Sequence, residues 1–177
     1  VDKRNSAIRT VEEFKIPVET IPPIGDIVSG KAKIEELRHL EIEDLLGREP
    51  IAPIEDLISA STSSKVVMIT GAGGSIGSEL CRQILACKPS ALILFDLCEY
   101  NLYRIEQELN RLKIKLKSTT LIHSHLGSVQ QQKRIQTIMT AHKVDTVYHT
   151  AAYKHVPLIE NNIIEGVRNN LFGTLHC

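Results

Sequence analysis

From residue 65 onward, apolar runs rich in branched side chains alternate with stretches in which apolar residues recur every three or four positions. The runs KVVMIT (65–70), ALILFDL (91–97), TTLIHSHL (119–126) and VDTVYHTA (144–151) predict four strands. The first two read as buried on both faces and the third as weaker. Between them, Ile76, Leu80 and Ile84 predict a helix over 75–86 with one apolar stripe, stopped by Pro89. Leu102, Ile105, Leu109 and Leu112 mark a second helix, 129–141 a third, and 158–175 a fourth. Strand-then-helix units in series demand crossover connections, so the sheet is expected to be parallel. Right-handed crossovers then place helices on both of its faces. The expected fold class is α/β, a Rossmann-like doubly wound parallel sheet.

Before residue 65 no sustained period exists, and Pro17, Pro22, Pro23, Pro50 and Pro53 punctuate the chain. This part reads as an N-terminal connector with a short helix over 4–14, a helical turn or two in IEELRHL (34–40) and a polar hinge from Ser59 to Lys65. Charge separates the two parts. Overall, 21 basic residues balance 21 acidic ones, but residues 1–64 hold 8 against 13 and residues 65–177 hold 13 against 8. With no net field, recruitment of nucleic acid or an anionic membrane is not expected. No apolar stretch approaches the roughly 18 residues of a membrane span, and no signal-peptide layout opens the chain, so a cytoplasmic location is expected. Cys81, Cys87, Cys98 and Cys177 form no CxxC pair and read as reduced apolar fillers. His123 and His125 look like a metal dyad but lack a third ligand nearby in sequence, and no metal site is expected.

Four glycines fall within residues 71–77, in TGAGGSIG, directly between the first predicted strand and the first predicted helix. Gly71, Gly74 and Gly77 have the GxxGxxG spacing in the context where it carries meaning. The first glycine permits a tight turn, the second lets the backbone approach a pyrophosphate, and the third lets the helix pack closely on the sheet. Helix N-terminal N–H groups then face the phosphates. A flexible turn that merely joins strand to helix is the alternative. A P-loop is excluded, because no Lys-Ser or Lys-Thr follows the last glycine. Asp96 ends the second predicted strand 19 residues after Gly77. There a carboxylate accepts ribose hydroxyls and repels a 2′-phosphate, which favours NAD over NADP. Its alternative is an aspartate that caps the next helix or turn.

The segments TGAGGSIGSELCRQI, LILFDLCEYNLYRIEQEL, HTAAYKHVPLIENN and VRNNLFGT together resemble the extended short-chain dehydrogenase/reductases, specifically the nucleoside-diphosphate-sugar 4,6-dehydratases of polysaccharide and glycan biosynthesis. The likeness runs from about Ile42 to the end. IPVETIPPIGDIVSGK followed by LEIEDLLGREPI resembles the junction in the long, membrane-anchored members. It implies that residues 1–40 are the tail of an upstream regulatory domain, 41–64 a linker, and 65–177 the N-terminal part of an NAD(P)-binding domain that is incomplete at its C-terminus. It also implies a parent anchored to the inner membrane and assembled as a homo-oligomer.

Carried over by position, the resemblance puts Gly71, Gly74, Ser75, Ile76 and Gly77 on the pyrophosphate and Asp96 on the adenosine ribose. Ala151 and Ala152, ending the fourth strand, would line the nicotinamide-side ribose. Lys154 would reach cofactor or substrate oxygens, with an ordinary solvated lysine as the alternative. Tyr153 is left open, and as a packed aromatic it would need no function. Asn169 and Asn170 match paired asparagines of the fourth helix, one of which contacts active-site backbone, and Asn170 is also a substrate-binding candidate. Where relatives carry an aspartate for adenine this chain has LGSV, leaving Ser128 or backbone for that contact. The implied reaction oxidises C4 of a UDP-N-acetylhexosamine, eliminates water across C5 and C6, and returns hydride to C6. The family's Tyr-x-x-x-Lys pair has no counterpart here, since Tyr148 is followed four residues on by Ala152 and Tyr153 by Pro157. Catalytic residues are therefore expected beyond Cys177, and this stretch alone is expected to be inactive. A non-catalytic NAD(P)-sensing module, or a sugar-nucleotide epimerase or dehydrogenase, shares most of these features.

Overall fold

The computed structural model describes residues 54–177 and, upstream of them, only the two-residue strands Glu19–Thr20 and Arg38–His39. The chain forms two units, Val1–Pro53 and Ile54–Cys177. In the first, the short strands pair antiparallel, Glu19 opposite His39 and Thr20 opposite Arg38. Arg38 and His39 are thus extended, where a short helical stretch was expected. The expected helix over 4–14 lies outside the described residues.

The second unit runs α1 (Glu55–Thr62), β1 (Val66–Thr70), α2 (Ser75–Ala86), β2 (Ala91–Asp96), α3 (Glu99–Lys115), β3 (Leu121–Leu126), α4 (Gln132–His142) and β4 (Thr146–His149). It closes with α5 (Val156–Glu160), α6 (Ile163–Val167), a π-helical turn (Arg168–Phe172) and α7 (Gly173–His176). The strands form one parallel sheet in the order β3-β2-β1-β4. The chain builds outward from β1 through β2 to β3, then returns to the other side of β1. This reversal opens a crevice at the carboxyl ends of β1 and β4, where open α/β sheets take their ligands.

Alternation along the strands divides the core in two. Val67, Ile69, Leu92 and Leu94 face Cys81, Ile84 and Leu85 of α2 and Leu102, Ile105 and Leu109 of α3. Met68, Ile93 and Phe95 face Ile135 and Ile138 of α4 on the other side. All six residues of β2 are buried, as its unbroken apolar run requires, while β3 is a half-buried edge strand. The doubly wound, Rossmann-like reading is what the structure shows.

Several local expectations change. The buried face of α2 is Gly77, Cys81, Ile84 and Leu85, while Ile76 is 65% exposed. The first turn of α2 rests on Gly77, and that turns Ile76 outward. The polar hinge begins inside a helix, because Ser59–Thr62 complete α1. Its hydroxyls are used. Thr62 Oγ1 donates to the Ile58 carbonyl at 2.7 Å, Ser61 Oγ meets Tyr148 Oη at 3.1 Å, and Thr146 Oγ1 donates to the Ser61 carbonyl at 2.8 Å. The single helix expected over 158–175 starts earlier, at Val156, and breaks at Asn161 and Asn162. Their side-chain amides donate to the Pro157 and Leu158 carbonyls, both at 2.9 Å, capturing the acceptors that a continuing helix would have used. Similarly, α4 begins at Gln132 and not at Val129, because Ser128 and Gln131 close a turn. Ala151 and Ala152 lie beyond β4, which ends at His149.

Cys81 is fully buried and burial pushes its thiol up to about 12, so it stays a neutral filler. Cys98 is exposed and fills nothing, while Cys87 and Cys177 are half-buried. Among the described residues no helix is long and apolar enough to cross a membrane. The stripe of α2 is checked by a pair of truncations. Ile84→Ala, at a site 3% exposed, should cost about 2–5 kcal/mol in urea denaturation, and Ile76→Ala should change the same midpoint by less than about 0.5 kcal/mol.

Candidate functional site

At the carboxyl end of β1 the chain turns through Gly71, whose φ is +68°, a conformation side chains rarely adopt. A Cβ at Gly71 would also stand 2.8 Å from the Ala151 nitrogen. Gly77 is tighter still, since a Cβ there would run into the Gly71 carbonyl oxygen and Thr150 Oγ1. Between them Gly74 caps α2 with backbone alone; no side chain caps the helix and no acidic residue occupies its first turn. Gly74, Ser75 and Ile76 are exposed. The leading N–H groups of a 12-residue helix therefore face outward beside a crevice, with the positive end of the helix dipole behind them.

The turn is fastened from β2. Asp96 Oδ2 accepts the Gly73 N–H at 2.8 Å and Oδ1 accepts the Cys98 N–H at 2.8 Å. Asp96 thus braces the glycine turn and shapes the β2–α3 turn, the capping alternative for this residue. Each carboxylate oxygen keeps a further acceptor position, and the residue lines the crevice. Gly73 was not singled out from the sequence. A Cβ there would stand 2.5 Å from Asn101 Cβ, and that contact with α3 is invisible in local spacing.

Thr150, after β4, donates its hydroxyl to the Thr70 carbonyl at 2.8 Å and ties the two switch-point strands together. His149 does the same one step back. Thr174 Oγ1 donates to the Asn170 carbonyl at 2.6 Å, so it accepts from His149 Nε2 at 3.1 Å. Nδ1 then accepts from Thr70 Oγ1 at 2.6 Å. Burial lowers the His149 pKa, in keeping with the neutral tautomer that this network assigns. Thr70, His149 and Thr150 were missed, because their roles arise from pairing between β1 and β4.

Tyr153 is 40% exposed, so it is not a packed core aromatic. Its backbone is what is held: Asn170 Oδ1 accepts the Tyr153 N–H and Nδ2 donates to the Tyr153 carbonyl, both at 2.8 Å. Asn169, buried, donates to Asn170 Oδ1 at 3.0 Å. Both asparagines sit in the π-helical turn, a feature frequent at functional sites.

These elements enclose a cleft of about 190 Å³ that brings together Gly71, Gly74, Asp96, Ser128, Ala151 and Ala152 among the residues singled out from the sequence. Ser128 Oγ accepts the Gln130 N–H at 3.2 Å. Ser75, Ile76 and Gly77 flank the cleft on α2 without lining it. Lys154 instead lines an adjoining cavity of about 340 Å³, which shares Ala152 and Tyr153 with the cleft and is walled by Leu158 and Ile159. Asn170 lines neither and acts on backbone. The arrangement suits an extended anionic ligand whose phosphates meet the start of α2 and whose hydroxyls meet Asp96.

A family described as "Polysaccharide biosynthesis protein" matches residues 67–177. The capsular polysaccharide biosynthesis protein CapD of Staphylococcus aureus is 42% identical over 168 residues, 94% of this chain and 26% of that protein. The inverting UDP-N-acetylglucosamine 4,6-dehydratase of Campylobacter jejuni serotype O:23/36 is 29% identical over 112 residues, 63% of this chain and 30% of that protein. Among solved structures, a UDP-glucose 4-epimerase from Stenotrophomonas maltophila with bound NAD and formylated UDP-arabinopyranose superposes with a TM-score of 0.51 at 20% identity. That likeness covers 63% of this chain and 32% of the other, and it shows the shared fold. The chain spans between a quarter and a third of the length of these relatives.

Crowding at the glycine turn has a direct check. Gly77→Ala should destabilise the unit by about 1–3 kcal/mol, the range for forcing a group into a filled space, as read by the denaturation midpoint.

Proposed function

Because the chain belongs to the polysaccharide biosynthesis protein family, we propose that it carries the NAD-binding part of a UDP-N-acetylhexosamine 4,6-dehydratase. The observation that carries this reading is the close approach of bare backbone at Gly71 and Gly77 beneath an uncapped α2 N-terminus. Among the described residues no side chain caps the start of α2, and the exposed N–H groups there suit phosphate oxygens. The residues present therefore fit the dinucleotide. The 4,6-dehydratase named for Campylobacter jejuni and the NAD bound in the epimerase of like fold support the same reading.

On this reading the turn from Gly71 to Gly77 holds the pyrophosphate, and Asp96 accepts the adenosine ribose hydroxyls with its remaining lone pairs. Ser128 stands on the adenine side. Ala151 and Ala152 leave room at the nicotinamide-side ribose, and Asn170 fixes the Tyr153 peptide so that this wall does not drift. Lys154, at the adjoining cavity, meets substrate or cofactor oxyanions. NAD, when bound, supplies the hydride acceptor for the sugar's C4 and the donor for C6.

Two measurements test the proposal. Calorimetric titration of this chain should show NAD binding at least about tenfold tighter than NADP, because a 2′-phosphate would meet the Asp96 carboxylate; equal affinity, or a preference for NADP, overturns the cofactor assignment. The full-length protein supplied with UDP-N-acetylglucosamine should yield a 4-keto-6-deoxy sugar nucleotide. A C4 epimer, or a 6-carboxylate, would move the activity to another class.

A further inference from the structure

His123 and His125 pair in register with Ile93 and Phe95 of β2. Neighbours in parallel register share a face, so both histidines lie on the α4 side of the sheet, at its outer edge. There His142, in the last turn of α4, supplies the third imidazole that sequence spacing did not disclose. His142 Nε2 is 2.8 Å from His125 Nε2. The His125 and His142 rings meet edge-on with centroids 4.9 Å apart, and the His123 ring lies 4.8 Å from that of His142. All three are half-buried.

Two ring nitrogens at that separation share one hydrogen: one Nε2–H donates and the other Nε2 offers its lone pair. Among the described residues, every charged neighbour is positive. His123 faces the pair from β3; from α4, Arg134 reaches across to donate to the Leu126 carbonyl at 3.2 Å, and Lys143 follows His142 directly. From β2 come only Ile93 and Phe95, and α3 packs on the opposite face through Leu112 and Ile122. Burial first, then His142, Arg134 and His123, lowers the pKa of His125, in keeping with His125 as the accepting ring of the pair. Among the described residues no group of three or more donors is arranged to hold a metal ion.

We propose that the His125–His142 contact is an acid-sensitive latch that fastens the edge strand β3 to α4. A first added proton goes to the free Nδ1 of the donating ring and leaves the shared hydrogen in place. A second must fall on His125 Nε2, where it sets two N–H groups and two charges against each other, and the contact opens. Protons are therefore taken up in two coupled steps. The sign follows from His125 holding its proton more weakly when folded than when unfolded. The latch's contribution is whole above the ordinary histidine value and is lost as pH falls through the lowered, folded one. β3 leads straight into Gly127, Ser128 and Val129, which line the cleft. Opening the latch loosens that wall.

The test is an NMR titration of the 177-residue chain itself, following the imidazole nitrogens and the strand amides from about pH 8 to about pH 5. At neutral pH the Nε2 atoms of His125 and His142 should be in opposite states, one protonated and one not. His125 should titrate last. Amide exchange in β3, corrected for intrinsic rates, should rise at least about tenfold at the acid end, while β1 and β2 keep their protection. His142→Gln leaves a neutral N–H donor for His125 and should flatten the pH dependence of β3 exchange. Independent titration of both rings in the ordinary range overturns the latch, as does β3 protection that tracks β1 at every pH. Stoichiometric uptake of Zn²⁺ or Ni²⁺ that His142→Gln abolishes also overturns it, in favour of a metal site. Should His142→Gln fail to fold, the titration of the unaltered chain decides alone.

Discussion

The first turn of α2 lies so close to the turn leaving β1 that a β-carbon on Gly77 would run into the Gly71 carbonyl. That approach fixes the start of the helix against the sheet, and nearly everything at the crevice inherits its position from it. Gly71 can oblige only with a positive φ, and the same turn brings its α-carbon against the backbone of Thr150 and Ala151. The glycine turn, the start of α2 and the distant segment after β4 thus meet mainly through main chain, with the Thr150 hydroxyl beside them. The opening beside them is defined by backbone, which is less free to rearrange than side chains are.

Side chains at this crevice serve mainly to hold other backbone. Asp96 takes N–H groups from Gly73 and Cys98, Thr150 donates to the Thr70 carbonyl, and Asn170 closes a two-way bridge on Tyr153. Linked hydrogen bonds of this kind rigidify their surroundings. The glycine turn is thereby fastened to β2, and the segment after β4 to β1 and to the π-helical turn. His149, between Thr70 and Thr174, joins the strand side of that rim to the helix side.

How much of this could be read from the sequence depended on range. The first two strands were legible because a parallel sheet covered on both faces demands continuous apolar runs, and 91–96 is such a run, whereas the half-buried third and fourth carried a weaker signal. Gly71 and Gly77 were legible because their spacing reflects one local turn. Gly73 was not, since its constraint is set by Asn101, on another helix. The break at Asn161 and Asn162 was missed because apolar periodicity continues through it, while the decisive event is two amides bonding backward to carbonyls. Ile76 was placed on the buried stripe because period alone does not reveal where a helix overhangs its sheet. The third histidine, His142, was likewise out of view, because β3 and α4 meet it only in three dimensions.

The double engagement of Asp96 has an evolutionary corollary. In many dinucleotide enzymes the acid at this strand end is exchanged when a lineage adopts the phosphorylated cofactor. Here the same carboxylate also anchors the Gly73 amide, so its loss would strip an acceptor from the glycine turn as well as a charge from the cleft. Exchange of Asp96 is thus constrained by architecture, and a replacement would first have to install a substitute anchor for Gly73.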